Sequence, residues 1–113
     1  MSAPAEFLLQ ADASAREWLD RHPAGGPRVV AYEVHRCCGV GKICEVKVRE
    51  LSGKDNPDDF ATGALEDGTK FFIDRRAAAR LPARFGLTAR GMGRLKHLDL
   101  DLEAEQWGTL LYD

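Results

Sequence analysis

Asp67-Gly68 stands between two apolar runs, ending at Leu65 and resuming at Phe71-Phe72-Ile73, and this pair constrains the fold more than any other feature. An Asp-Gly step flanked by strand formers predicts a β-hairpin with a two-residue turn. Both central positions of such a turn take positive φ, which Gly does without steric cost. Asp74 suits the N-cap of a following helix, because its short carboxylate accepts from first-turn N–H groups. Ala77, Ala78, Leu81 and Phe85 supply the apolar side of that helix, while Arg76, Arg80 and Arg84 recur every four residues on the other side. Pro82 bends or splits it, and Gly86 closes it.

A second hairpin is expected upstream. Val30, Tyr32 and Val34 alternate with Glu33 and His35, and Cys44, Val46 and Val48 alternate with Glu45, Lys47 and Arg49. Period-two alternation marks half-buried strands, and a glycine-containing loop with the cysteines joins the two. Residues 5–20 read as a helix on the stripe Leu8, Ala11, Ala15, Trp18 and Leu19. The run from His22 to Pro27 stops that helix and makes it an appendage on the rest. Leu98, Leu100 and Leu102 predict a last strand, Glu103 to Trp107 a helical turn, and Leu110 to Tyr112 a closing strand. The expected fold class is α+β: an N-terminal helix within residues 1–22, then a single domain over 28–113. That domain is a mixed or antiparallel sheet from two hairpins with a short basic helix packed on it. A chain of 113 residues suits one such domain. No apolar run approaches the ~20 residues of a membrane-spanning helix, and the first residues lack the pattern of a secretory signal. The expectation is a cytoplasmic protein without a membrane partner.

The chemistry concentrates in one loop. Cys37, Cys38 and Cys44 lie within eight residues, with His35 two positions upstream. Thiolate and imidazole are the donors that borderline metals and iron–sulfur clusters prefer, and an odd cysteine count argues against a closed disulfide framework. The spacing is not that of a zinc finger, which needs paired Cys-x2-4-Cys units. Gly39 and Gly41 shape the loop, and Arg36 and Lys42 beside it favour the thiolate form. The same residues admit a thiol redox or sensor protein, with a transient bridge from Cys37 or Cys38 to Cys44. They also admit a plain structural role, since free cysteine is often a buried core residue.

Val34-His35-Arg36-Cys37-Cys38-Gly39, followed by a charged strand, resembles the first loop of the HesB/IscA-like A-type iron–sulfur carriers, where a glycine-rich segment holds Cys-Ser-Gly. Asp67-Gly68-Thr69-Lys70-Phe71-Phe72-Ile73-Asp74, with Leu81 beyond, is similar to that family's hairpin before a short helix. The resemblance spans about residues 29–81 and places Cys37 on the family's loop cysteine. It implies a HesB-like fold and a cargo of iron or an iron–sulfur cluster. The family also ends in Cys-Gly-Cys, which supplies two further ligands, whereas this chain ends Trp107-Gly108-Thr109-Leu110-Leu111-Tyr112-Asp113. Cys38 and Cys44, with His35, are the local candidates to complete a metal site, and a homodimer or a small thiol is a further source of ligands. Zinc is the alternative metal.

The net charge of -2 conceals a polarised chain. Lys70 to His97 holds eight basic residues against Asp74, and Leu98 to the end holds five acidic residues and no basic ones. The arginines Arg76, Arg80 and Arg84, with Arg90, Arg94 and Lys96, are candidates to bind an acidic protein partner, an iron–sulfur client or, less readily, nucleic acid, for which no aromatic residues are interleaved. Gly39-Val40-Gly41-Lys42 fails the phosphate-loop pattern at Arg36 and Ile43, and Asp99 to Leu110 fails the calcium-loop pattern at Ala104 and Leu110. No catalytic triad spacing emerges, and the chain is expected not to be an enzyme. His97 becomes a ligand candidate if its strand adjoins the cysteine loop.

Overall fold

The computed structural model describes residues 6–23, 26–37 and 41–112, the side chains of 35–37, 41–44 and 112 excepted. Seven strands and three short helices follow in the order β1 (Phe7–Ala11), α1 (Ala13–Arg21), β2 (Arg28–Cys37), β3 (Gly41–Glu50), β4 (Phe60–Leu65), β5 (Lys70–Asp74), α2 (Arg75–Ala78), β6 (Arg84–Arg90), β7 (His97–Asp101) and α3 (Ala104–Tyr112). All seven strands join one sheet in the order β3-β2-β5-β4-β1-β6-β7.

This corrects the expected fold class. The framework is a seven-stranded mixed sheet curled nearly into a barrel, not an N-terminal helix beside a sheet of two hairpins. Three misread segments account for the difference. Phe7 and Leu9 are buried and Leu8 and Gln10 exposed, a two-residue period that makes this segment a strand. The helix begins only after Asp12, whose carboxylate accepts from the Ala15 N–H at 2.8 Å. Far from being an appendage, β1 lies between β4 and β6 and runs parallel to both. The basic helix stops at Ala78, and Arg84 to Arg90 form β6, with Phe85 and Leu87 inward. Leu110 to Tyr112 are the end of α3 rather than a strand.

The two hairpins themselves are present. β2 and β3 pair antiparallel over ten rungs, from Arg28 opposite Glu50 to Cys37 opposite Gly41. β4 and β5 pair antiparallel around Asp67-Gly68, but only Gly68 takes positive φ, at 90°. The Gly68 N–H bonds to the Leu65 carbonyl and the Leu65 N–H to the Thr69 carbonyl, both at 2.9 Å. That is a tight turn followed by a glycine bulge, which needs one left-handed residue where the expected two-residue turn needs two.

One face of the sheet forms the main core. Leu9, Val30, Phe71, Ile73, Leu87 and Leu100 are fully buried there, and Ala15, Ala77 and Leu110 bring the three helices onto it. A smaller cluster of Val29, Ala31 and Phe60, backed by Leu51 and Phe72, covers part of the outer face. Strand sense follows from the pairings. β3 runs with β1 and β7 runs against it, so the two edge strands face each other antiparallel. No helix among the described residues is long and apolar enough to cross a membrane.

Candidate functional site

The β2–β3 hairpin overhangs its sheet. β5 pairs with β2 only from Arg28 to Val30, so the rungs beyond have β3 as their sole strand neighbour among the described residues. Seven residues beyond Val30 span about 23 Å at strand rise. Val30 and Tyr32 are buried against Val46 and Val48, whereas Val34, next along the same face, is 41% exposed. Among the described residues, the core therefore supports the base of the hairpin and does not extend to Val34.

Three of the predicted metal-site residues, His35, Cys37 and Cys44, lie toward that tip. In register, Cys44 is opposite Val34, His35 opposite Ile43, Arg36 opposite Lys42, and Cys37 opposite Gly41. His35, Cys37, Gly41 and Cys44 thus fall within the last four rungs, a stretch of about 10 Å. Their side chains, and Cys38 and Gly39 altogether, lie outside the described residues. Among the described residues, no group of three His, Cys, Asp or Glu side chains is placed to hold a metal ion.

Below the tip, two of the predicted partner-binding arginines are committed to the hairpin's base. Arg76 donates from Nη2 to the Tyr32 carbonyl at 2.6 Å and to Asp74 Oδ2 at 3.0 Å, with its guanidinium 5.3 Å from the Tyr32 ring. Arg80 donates from Nη1 to the Tyr32 hydroxyl and to the Leu110 carbonyl, each at 3.3 Å. Burial pushes the Asp74 carboxyl up, but hydrogen bonds from the Arg76 side chain and backbone outweigh it and hold it below its ordinary value. The same pair raises Arg76. Arg84 sits elsewhere, exposed on β6 opposite Leu8. The three arginines do not share a helical face, because α2 ends at Ala78.

His97 opens β7 and lines a cleft of about 460 Å³ between the two edge strands, with Leu98 and Asp99 on one side and Glu45 to Val48 on the other. Its Nδ1 donates to the Leu95 carbonyl at 2.8 Å. The described part of the β3 lining runs from Glu45 to Val48, and the side chain of the preceding residue, Cys44, lies outside the described residues.

Sequence reasoning missed the surroundings of Trp18. Its Nε1 donates to the Lys96 carbonyl at 3.2 Å, and the His22 ring stacks on it at 4.3 Å. Arg28, 8% exposed, lies 5.4 Å from the Trp18 ring and donates to the His22 carbonyl. Desolvation lowers the Arg28 pKa, partly offset by Glu50. No local signal announces this assembly, since Trp18 and Lys96 are 78 positions apart. The chain matches no family model, no curated protein and no solved structure.

Proposed function

We propose that the chain binds a metal ion or iron–sulfur cluster as cargo at the free end of the β2–β3 hairpin, in the manner of a carrier or scaffold. The observation that carries this reading is the overhang: the strands bearing His35, Cys37 and Cys44 extend past the neighbouring strand, and Val34 beside them is already 41% exposed. A cargo site must reach a second protein, and a projecting hairpin tip meets that need. Cys37, Cys38 and Cys44 are the thiolate candidates and His35 the imidazole candidate, a donor set suited to iron, iron–sulfur clusters or zinc. The likeness of residues 29–81 to the A-type carriers supports iron over zinc. Three thiolates leave a four-thiolate cluster one donor short. His35, a small thiol or a second copy of the chain supplies the fourth in this proposal.

Protein purified without oxygen and analysed for iron, sulfide and zinc tests the reading. Stoichiometric iron with sulfide and visible absorbance is expected, as is loss of both in Cys37→Ser. Absence of metal after reconstitution would overturn the proposal and leave thiol chemistry as the use of the loop. Metal that persists in Cys37→Ser, Cys38→Ser and Cys44→Ser alike would place the binding elsewhere.

A further inference from the structure

The turn between β6 and β7 carries the most exposed large apolar side chains among the described residues, Met92 at 86% and Leu95 at 79%. Single exposed apolar residues are ordinary, but two on one short, ordered turn are not. Gly91 and Gly93 take positive φ, 89° and 58°. Hydrogen bonds run from the Leu95 N–H to the Met92 carbonyl at 3.1 Å and from the Lys96 N–H to the Gly93 carbonyl at 3.2 Å. Trp18 Nε1 ties the Lys96 carbonyl to α1. The chain thus holds Met92 and Leu95 outward in a fixed conformation.

Charge defines what these side chains meet. No acidic residue occurs between Arg90 and His97. Arg94 and Lys96 are exposed and form no ion pair among the described residues. With Trp18, Arg21 and His22 they line a cavity of about 180 Å³ directly behind the turn, where the one acid, Glu17, is paired with Arg21 at 2.9 Å. Two features select the occupant. The apolar side chains stand free on a convex turn, which offers no groove to a helix or strand. The cations around them repel a second copy of the same turn and favour a surface that is both anionic and soft.

We infer that this turn docks the protein on an anionic phospholipid surface. Met92 and Leu95 enter the acyl boundary, and Arg94 and Lys96 pair with headgroup phosphates, one of them at the cavity. The length of apolar segments, which decides whether a chain spans a bilayer, does not register a surface turn. Because the whole chain carries a net charge of -2, general electrostatics oppose adsorption, and attraction must come from a local patch.

The test is sedimentation of the full chain with phosphatidylglycerol–phosphatidylcholine vesicles against phosphatidylcholine alone, at low and high salt. Binding to the anionic vesicles is expected, weakened by salt and weaker by roughly tenfold or more on the neutral ones. Met92→Glu/Leu95→Glu is expected to abolish it with the melting temperature unchanged, since both side chains are exposed, and Arg94→Ala/Lys96→Ala to remove its salt dependence. No binding to the anionic vesicles overturns the inference. So does binding that survives Met92→Glu/Leu95→Glu and is lost in Arg94→Ala/Lys96→Ala, which would mark a plain anion site.

Discussion

Arg49 and Asp55 meet in a two-armed ion pair, Nη1 to Oδ2 and Nη2 to Oδ1, each at 2.8 Å. Asp55 also accepts from the Ser52 N–H at 2.7 Å, so the pair pins the loop after β3 to that strand. The loop in turn leads to Leu51 and Phe60 of the outer apolar cluster. The Arg49 hydrogen bond is the main cause that holds the Asp55 carboxyl down to about 2, from an ordinary 3.8. A carboxylate with a depressed folded pKa stabilises fully above its unfolded value and loses that contribution as pH falls through the folded one. Asp55→Asn is therefore expected to cost about 1 kcal/mol near neutral pH, solvent screening included. The gap to the unsubstituted protein should close between about pH 4 and pH 2. Urea melts of both proteins across that window check it, and a pH-independent gap would show that the charge is not the cause.

Gly63 lies where two core side chains converge. A Cβ built there would be 2.9 Å from Leu9 Cδ1 and 3.1 Å from Ile73 Cδ1. Both are the ends of side chains that yield somewhat, so Gly63→Ala should be tolerated better than Gly63→Val. Overpacking predicts a loss of about 1–3 kcal/mol for the valine variant. Thermal unfolding ranks the two, and equal stability in both would contradict the packing described.

Arg80 ties α3 to the hairpin's base through Leu110 and Tyr32. Arg80→Ala releases both acceptors, whereas Tyr32→Phe removes one. About 1 kcal/mol per bond is expected, with the greater loss in Arg80→Ala. Amide exchange adds a local reading: α3 should exchange faster in Arg80→Ala and not in Tyr32→Phe. Equal protection in both variants would count against the link.

The parts of the fold that rest on neighbouring residues could be read directly. The β2–β3 hairpin is legible in two-residue alternation and the β4–β5 hairpin in the Asp67-Gly68 step between apolar runs, because side-chain period and turn sterics act over a few positions. The errors arose where one stretch satisfied two periods. Leu8, Ala11 and Ala15 make a helical stripe, yet Phe7 and Leu9 make a strand face, and burial between β4 and β6 decides for the strand. The sequence suggests a helix stop at Gly86, but this residue sits in β6, where a Cβ would meet Asp101 Cβ at 3.0 Å. The position of Cys37 and Cys44 in the last rungs of the β2–β3 hairpin is legible for the same local reason as the hairpin itself. The Arg76 and Arg80 contacts with Tyr32 and the Trp18 assembly were not, since tertiary packing alone creates them.

The central place of β1 has a consequence for how the chain reaches its fold. Within the sheet, β3-β2-β5-β4 on one side and β6-β7 on the other are joined by β1 alone. This strand is thus the keystone of the sheet, and its partners lie some fifty to eighty residues further along the sequence. Phe7 and Leu9 are enclosed on both sides only when Phe60 to Leu65 and Arg84 to Arg90 have both come back to them. Such long-range parallel pairing slows folding, and deleting Phe7 to Ala11 would divide the sheet rather than shorten it.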